Sequence, residues 1–411
     1  MLYLGLDHHR KQITVTVRDE SGEIIERRQI STDPKRVREW LAGVQERSGA
    51  EGGWVACVEI CGFGQWLWPL LTEYGCLRRV VIQPETRSKQ KTDRRDSNHL
   101  SELLWVNRHR VLSDERIHGV RVVQIPSAAE CDDRQLTVLR QRLGRRRTQI
   151  INRICHILNK LNKHWECPTK GLDTKVARRW LHDLQLEPLD RLELNQCLED
   201  WERSDCQIAE CQQQIEQRVE QSPPAEIVKT MPGASDYAAL ALTSRIGDIG
   251  RFATPRSLGN YWGLTPSCRD SGEKTGRRGS ITKDGSPVAR FILGQIVLHV
   301  LRRDPQMRAW FKRIRQRRGS KIARVAVMRR LTTILWHMLR NKTPYVIGGL
   351  PPRATRRRRN QATPPDSTGA RGPHPACPKS PVGTFPADSG GCRPSVAVAG
   401  AQPRRRKSRV Q

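Results

Sequence analysis

Apolar residues open this chain in short runs, without the three- and four-residue spacing of a helix. The run Tyr3-Leu4-Gly5-Leu6 closes on Asp7, and Ile13-Thr14-Val15-Thr16-Val17 carries β-branched residues at almost every position. Asp19-Glu20-Ser21-Gly22 supplies turn chemistry before Ile24-Ile25, so the pattern predicts a β-meander whose first strand ends in an acid. A helix is predicted over residues 34–46, with Pro34 in the favoured first turn, and Trp54-Val55-Ala56-Cys57-Val58 then reads as a buried strand ending in Glu59. Helical spacing returns over residues 66–74 and breaks at Gly75. Arg79-Val80-Val81-Ile82 is a further strand, closed by Pro84, and the stretch from Lys91 to Leu100 reads as the start of a helix. Strands alternating with helices predict an α/β layer, a central sheet covered by helices.

From about residue 114 to 221 the pattern changes to long polar helices. Leu136, Leu139 and Leu143, then Ile150, Ile154, Ile157, Leu158 and Leu161, recur at helical intervals, while Arg145-Arg146-Arg147 stays polar. A second long helix is predicted over residues 189–219, ending before Ser222-Pro223-Pro224. Met231-Pro232-Gly233 opens another compact region with helices over residues 238–246 and 258–261. The stretch from Gly263 to Gly285 follows, rich in glycine, hydroxyls and bases, and helices resume over residues 288–301, 308–317 and 322–340. After Pro351 the composition collapses into Pro, Gly, Arg and Ser. That segment holds 13 Lys/Arg against 2 Asp/Glu, a net charge of +11 that leaves +20 on the rest of the chain. It lacks the apolar surface to order itself, and a disordered arm adding salt-sensitive affinity is expected.

The formal net charge of +31 over 411 residues points to a polyanionic partner, with nucleic acid the commonest. A membrane surface is the competing idea, but no apolar run reaches the roughly 18 residues of a spanning helix. The first six residues lack the basic leader and the length of a signal peptide, so a cytoplasmic, nucleoid-associated protein is expected. Twelve cysteines are spread along the chain without a CxxC, the closest pairs being Cys57 with Cys61 and Cys206 with Cys211. Zinc spacing is therefore missing, and reduced structural thiols are expected.

The candidate chemistry is carried by acids. Asp93 and Asp96 are three residues apart, which puts them on one helix face, and Lys91, Arg94 and Arg95 surround them. Hard oxygen ligands among bases suit a divalent cation facing phosphate; the plainer alternative is a helix start whose acids favour the macrodipole. Asp7 and Glu59 at strand ends complete a set of four carboxylates from separated segments. Four such groups at one sheet edge would repel unless a cation were bound. In the stretch from Gly263 to Gly285, glycines allow close backbone approach, exposed amides can bind phosphate, and a serine is accessible as a nucleophile.

Asp7 after Leu-Gly-Leu, Glu59 before Gly62, and Lys91-Thr92-Asp93-Arg94-Arg95-Asp96 resemble the DEDD motif of IS110-family transposases of the IS1111-like branch. The resemblance implies an RNase H-like, RuvC-like N-terminal domain (residues 1–113), a helical, coiled-coil-like region (114–224), a mainly α C-terminal transposase domain (225–346) and a disordered basic tail (347–411). Alanine commonly follows the last acid in that family, whereas Ser97 follows it here. The Ile-Gly-Asp, Arg-Phe, Gly-Leu-x-Pro, Ser-Gly and Gly-x-Ile-x-Lys-x-Gly elements resemble the family's second half, and its catalytic serine carries over to Ser271. Pro232-Gly233-Ala234-Ser235 departs from the usual Pro-Gly-Ile-Gly. Both halves match in order over roughly residues 1 to 345.

The resemblance further implies Mg²⁺ (or Mn²⁺) held by Asp7, Glu59, Asp93 and Asp96, and a homodimer assembling into a tetramer on element ends and target DNA. It implies an element-encoded guide RNA and a coiled coil between subunits, although the imperfect heptads equally allow an intramolecular hairpin. Lys91, Arg94, Arg95, Lys274, Arg277, Arg278 and Lys283 are the candidate nucleic-acid contacts. The expected activity is that of a DNA transposase or recombinase. Its rivals are a metal-dependent junction nuclease without covalent serine chemistry, and a noncatalytic nucleic-acid-binding protein.

Overall fold

Strands β1 (Leu2–His8), β2 (Gln12–Arg18) and β3 (Ile24–Ser31) form the antiparallel meander that the β-branched run predicts. The structure, a computed structural model, describes residues 1–83, 93–115, 117, 121–268 and 278–348, with the backbone alone at 93, 121, 268 and 278. Helix α1 (Pro34–Ala50) follows the meander, its first amides satisfied by the Asp33 carboxylate, which accepts from the Lys35 and Arg36 backbone N–H groups. Next come β4 (Trp54–Glu59), α2 (Leu67–Glu73) and β5 (Cys76–Gln83), then α3 (Asp93–Val106), α4 (Arg108–Leu112) and the short β6 (Arg121–Val122). The sheet order is β3-β2-β1-β4-β5-β6, with β1, β4 and β5 parallel and the remaining pairings antiparallel.

Period-two alternation divides the two faces of this sheet. Leu2, Leu4, Leu6, Trp54, Ala56 and Val58 pack with α1 and α2 through Val37, Leu41, Val44, Leu67 and Leu71. Tyr3, Val55 and Cys57 point the other way, against Leu100 and Leu104 of α3. Both faces of the parallel strands are thereby covered, which explains their nearly continuous burial.

Helix α5 (Ala128–Lys160) starts at a capping box formed by Ser127 and Glu130. It is followed by α6 (Lys175–Asp183) and α7 (Pro188–Glu220), and α5 and α7 lie antiparallel as a hairpin within one chain. Ile154 and Leu158 of α5 meet Leu194, Leu198 and Trp201 of α7, with Leu181 of α6 closing the cluster. Arg146–Asp200, Arg147–Asp205, Arg153–Glu193 and Lys160–Asp190 ion pairs run along the seam. The intramolecular arrangement thus satisfies the apolar stripes of both helices over this stretch.

The C-terminal part is mainly helical: α8 (Pro223–Lys229), α9 (Asp236–Ile246), α10 (Pro255–Tyr261), α11 (Pro287–Arg303), α12 (Pro305–Arg318) and α13 (Ser320–Asn341). A two-stranded hairpin, β7 (Pro266–Cys268) with β8 (Arg278–Ile281), interrupts it. Leu242, Trp262, Leu293, Ile296, Leu331 and Leu335 centre its core, which Ile215 and Val219 of α7 also enter. Among the described residues no helix is long and apolar enough to cross a membrane. The expected disordered tail lies outside the described residues, apart from 347 and 348.

Candidate active site

Two acids end adjacent parallel strands. The last paired residues of β1 and β4 are Leu6 and Val58, so Asp7 and Glu59 follow at the same C-terminal edge. By strand alternation both continue the face of Tyr3, Gly5, Val55 and Cys57, the one that α3 covers. Asp7 is almost fully buried and Glu59 half-buried.

Helix α3 approaches β1 through Gly5. A Cβ on Gly5 would stand 2.1 Å from the Ser97 carbonyl oxygen and 2.4 Å from the Ser101 amide nitrogen, so only glycine admits the helix this closely. Tyr3 packs with Leu100 and Leu104, while Gly5 meets Ser97 and Ser101. Helix and strand are therefore antiparallel, and the first turn of α3, which carries Asp93 and Asp96, begins at the edge where Asp7 and Glu59 sit. The alignment is tied by buried polar contacts: Thr16 Oγ1 and Ser97 Oγ lie 3.0 Å apart, and Arg18 donates to Ser101 Oγ and Asn98 Oδ1. Ser97, where the resemblance leads one to expect alanine, is thus the buried hydroxyl partner of Thr16.

Three further residues stand at this edge that periodicity could not single out. His9 Nε2 lies 3.0 Å from Asp7 Oδ2. His8 is buried, its Nδ1 2.8 Å from Cys61 Sγ, and its ring is flanked by Phe63 and Trp66 at 5.4 Å each. Burial holds the His8 imidazole below its ordinary pKa, with His9 adding to the shift. The Cys61 thiol is pushed up by burial and, in smaller part, by the charges of Asp7 and Glu59. Both carboxylates are thus close enough to Cys61 to act on the same thiol.

Asp7, Glu59 and Asp96 are hard oxygen donors of the class that holds Mg²⁺ or Mn²⁺. Among the described residues, however, no group of three or more His, Cys, Asp or Glu is placed to hold a metal ion; the Asp93 side chain is outside those residues. Arg94 and Arg95 are exposed on the same first turn, and Lys91 lies outside the described residues.

The second candidate region is built on the β7–β8 hairpin. Gly263 and Gly285 take positive φ values of 63° and 73°, and a Cβ on them would stand 2.3 Å from Asp284 backbone atoms and 1.9 Å from the Tyr261 carbonyl oxygen. The Lys283 amide donates to the Gly263 carbonyl, and Arg290 Nη1 donates to the carbonyls of Trp262 and Asp284, which locks the hairpin base. Lys283 itself adopts a left-handed φ of 60° there. Ser267 Oγ donates to the Ser280 carbonyl across the strands. Ser271, Lys274 and Arg277 fall between the two arms, outside the described residues, as does the Arg278 side chain. The Pro232-Gly233-Ala234-Ser235 turn keeps a glycine at φ 86° and uses Ser235 to cap α9.

Comparison with known proteins gives two family matches in the order of these two regions. Residues 4–163 match a model for transposases of the DEDD type found in IS110 elements, and residues 225–312 match the model described as transposase IS116/IS110/IS902 family. The chain is 25% identical over 314 residues to the transposase for insertion sequence element IS1111A of Coxiella burnetii, covering 72% of this chain and 80% of that protein. It is 33% identical over 147 residues to an uncharacterized 42 kDa protein of insertion element IS900 from Mycobacterium paratuberculosis, covering 34% and 36%. A 123-residue stretch is 29% identical to the pilin gene-inverting protein of Moraxella bovis, covering 29% and 38%.

Proposed function

The chain belongs to the IS116/IS110/IS902 family of transposases, enzymes that cut and rejoin DNA, and on that premise we propose that Asp7, Glu59, Asp93 and Asp96 form one carboxylate centre and that Ser271 is the nucleophile. The observation that carries the reading is the meeting of three elements: Asp7 and Glu59 end neighbouring parallel strands, and α3, which starts with Asp93 and Asp96, begins over them. The N-terminal part is an RNase H-like, RuvC-like domain spanning residues 1–113, with β6 (Arg121–Val122) from the following segment added to the edge of its sheet. The helical region covers 114–224, the second catalytic domain 225–346 and the basic tail 347–411.

The four carboxylates would hold Mg²⁺ or Mn²⁺, which when bound supplies polarisation of the scissile phosphate and charge stabilisation for the leaving oxygen. Ser271 Oγ forms a bond to phosphorus as the bond to the leaving deoxyribose oxygen breaks and that oxygen takes up a proton. Attack by the hydroxyl of another strand on the phosphoserine then restores the serine, so the broken end is stored without hydrolysis. Ser267 is engaged with the Ser280 carbonyl, which supports Ser271 over its neighbour. Arg94, Arg95, Lys91, Lys274, Arg277, Arg278 and Lys283 bind the phosphate backbone. The family resemblance adds a homodimer assembling into a tetramer, an element-encoded guide RNA and a cytoplasmic, nucleoid-associated location.

The test is a denaturing gel of end-labelled element DNA after reaction with Mg²⁺ and candidate RNA. Wild type is expected to leave protein covalently on DNA at Ser271, and Ser271→Ala to abolish the adduct and strand exchange while keeping DNA association. An adduct mapped to another residue refutes the serine assignment, and cleavage without any adduct favours hydrolysis.

A further inference from the structure

Helices α5, α9 and α11 line an open cleft of about 480 Å³ that holds none of the candidate acids or serines. Arg140, Gln141, Arg145 and Thr148 face it from α5, Tyr237 from the start of α9 and Phe291 from α11. No carboxylate lines it among the described residues, and the volume falls within the few hundred Å³ of ordinary ligand sites. Gly144, the sole glycine of the 33-residue α5, lies in its wall. A Cβ there would stand 3.2 Å from Arg140 Nη1, so the glycine, which costs a helix interior about 1 kcal/mol relative to alanine, leaves room for that guanidinium.

The cavity is chemically unfinished. The Tyr237 hydroxyl and Arg140 Nε are buried and meet no hydrogen-bond partner among the described residues. The Arg140 guanidinium stands 5.9 Å from the centre of the Tyr237 ring, leaving a cation beside an aromatic face. Two turns further along α9 is the buried Arg245, whose guanidinium donates to Thr137 Oγ1 of α5 and the Ala241 carbonyl. Phe291 is half exposed at the cavity edge, on the helix that follows the β7–β8 hairpin.

We propose that this cavity is a subsite for one unstacked nucleotide of a single-stranded nucleic acid, with Arg140 and Arg145 on its phosphate and the base against Tyr237 and Phe291. The proposal rests on the reading of the chain as a nucleic-acid enzyme. Two guanidiniums without a compensating carboxylate select an anion, and the aromatic pair with carboxamide and hydroxyl neighbours selects a planar, polar-edged group; a nucleotide unites both. A duplex cannot offer a base in this way without unpairing it.

The full-length protein is titrated by fluorescence anisotropy with a single-stranded oligodeoxynucleotide, an oligoribonucleotide of the same sequence, and the DNA duplex. Phe291→Ala and Arg145→Gln alter exposed side chains and are expected to weaken single-strand binding about tenfold each, the first by loss of one stacked base and the second by loss of a charge-assisted phosphate contact, with duplex binding changed less than twofold. Whether the loss falls on the DNA strand or the RNA strand identifies the source of the nucleotide. Tyr237→Phe is expected to raise the thermal midpoint of the free protein, by removing an unmatched hydroxyl, and, because the stacking ring is kept, to weaken single-strand binding less than Phe291→Ala does. Photocrosslinking of a bromouridine-substituted strand is expected to map to Tyr237 or Phe291. Equal losses for duplex and single strand, or crosslinks elsewhere, overturn the subsite. Strand exchange by wild type on element DNA is read in parallel, so failure of the subsite and failure of the functional reading are separate results.

Discussion

Gly5 and Ser97 are packed so tightly that a methyl group on the glycine would stand 2.1 Å from the serine carbonyl oxygen. The obstacle is backbone, which cannot swing aside, so Gly5→Ala must push α3 off the sheet. Overpacking of this kind costs about 1–3 kcal/mol, and a lowered thermal midpoint is expected. DNA cleavage is expected to fall more than stability does, because the displaced turn carries Asp93 and Asp96. Unchanged midpoint and cleavage rate would show that α3 is not positioned through this contact.

The Thr16–Ser97 hydroxyl pair gives a second expectation. Ser97→Ala restores the residue common in the family but strands the buried Thr16 hydroxyl, a loss of about 1–3 kcal/mol. Thr16→Val combined with Ser97→Ala should recover most of it, since both polar atoms then leave the interior together. A thermodynamic cycle of the four proteins reads the coupling, and strict additivity would contradict it.

Asp7→Asn, Glu59→Gln, Asp93→Asn and Asp96→Asn are each expected to abolish strand cleavage while leaving most DNA affinity, which the basic residues supply. The readouts are a cleavage gel and a binding titration on the same preparations. Normal cleavage by Asp96→Asn would remove that residue from the site.

Stability should depend on pH through His8. Its imidazole is buried and held below the ordinary value of 6.5, so between that value and the folded one the unfolded chain binds a proton that the folded protein does not. Stability is then full above about pH 6.5 and declines as pH falls through this window. His8→Gln should flatten the thermal midpoint between pH 7.5 and 5.5. A profile as steep as that of wild type would place the dependence elsewhere.

The parts of the fold that bury regular stripes were legible from the chain itself. The β-branched run of β2, the closing acids of β1 and β4, and the leucine and isoleucine spacing of α5 all correspond to elements with the expected type. The start of α1 at Pro34 was as expected, while its end lies at Ala50 and not at 46, and the start of α5 is decided by the Ser127 cap, which periodicity does not show. Helix α6 escaped notice because it is short and highly charged, although Thr174 as its cap was a usable signal. The β7–β8 hairpin was hidden by glycine and polar residues that carry no alternation. At the candidate site, the type and order of the acids were readable, but His9 beside Asp7 and His8 beside Cys61 depend on distances set by tertiary packing.

Helices α5 and α7 each have 33 residues, about 50 Å at 1.5 Å per residue. Each is anchored twice: α5 contributes Leu136 to the C-terminal core and Ile154 and Leu158 to the hairpin cluster, while α7 contributes Leu194 and Trp201 at one end and Ile215 and Val219 at the other. A pair of stiff rods rooted in two cores behaves as a beam. Helix α6 braces its outer half, with Arg178 on Asp205 and over the Trp201 ring and Leu181 in the cluster between the rods. The inner half is rooted beside α9 and the buried Arg245, so the two cores are held at a fixed span.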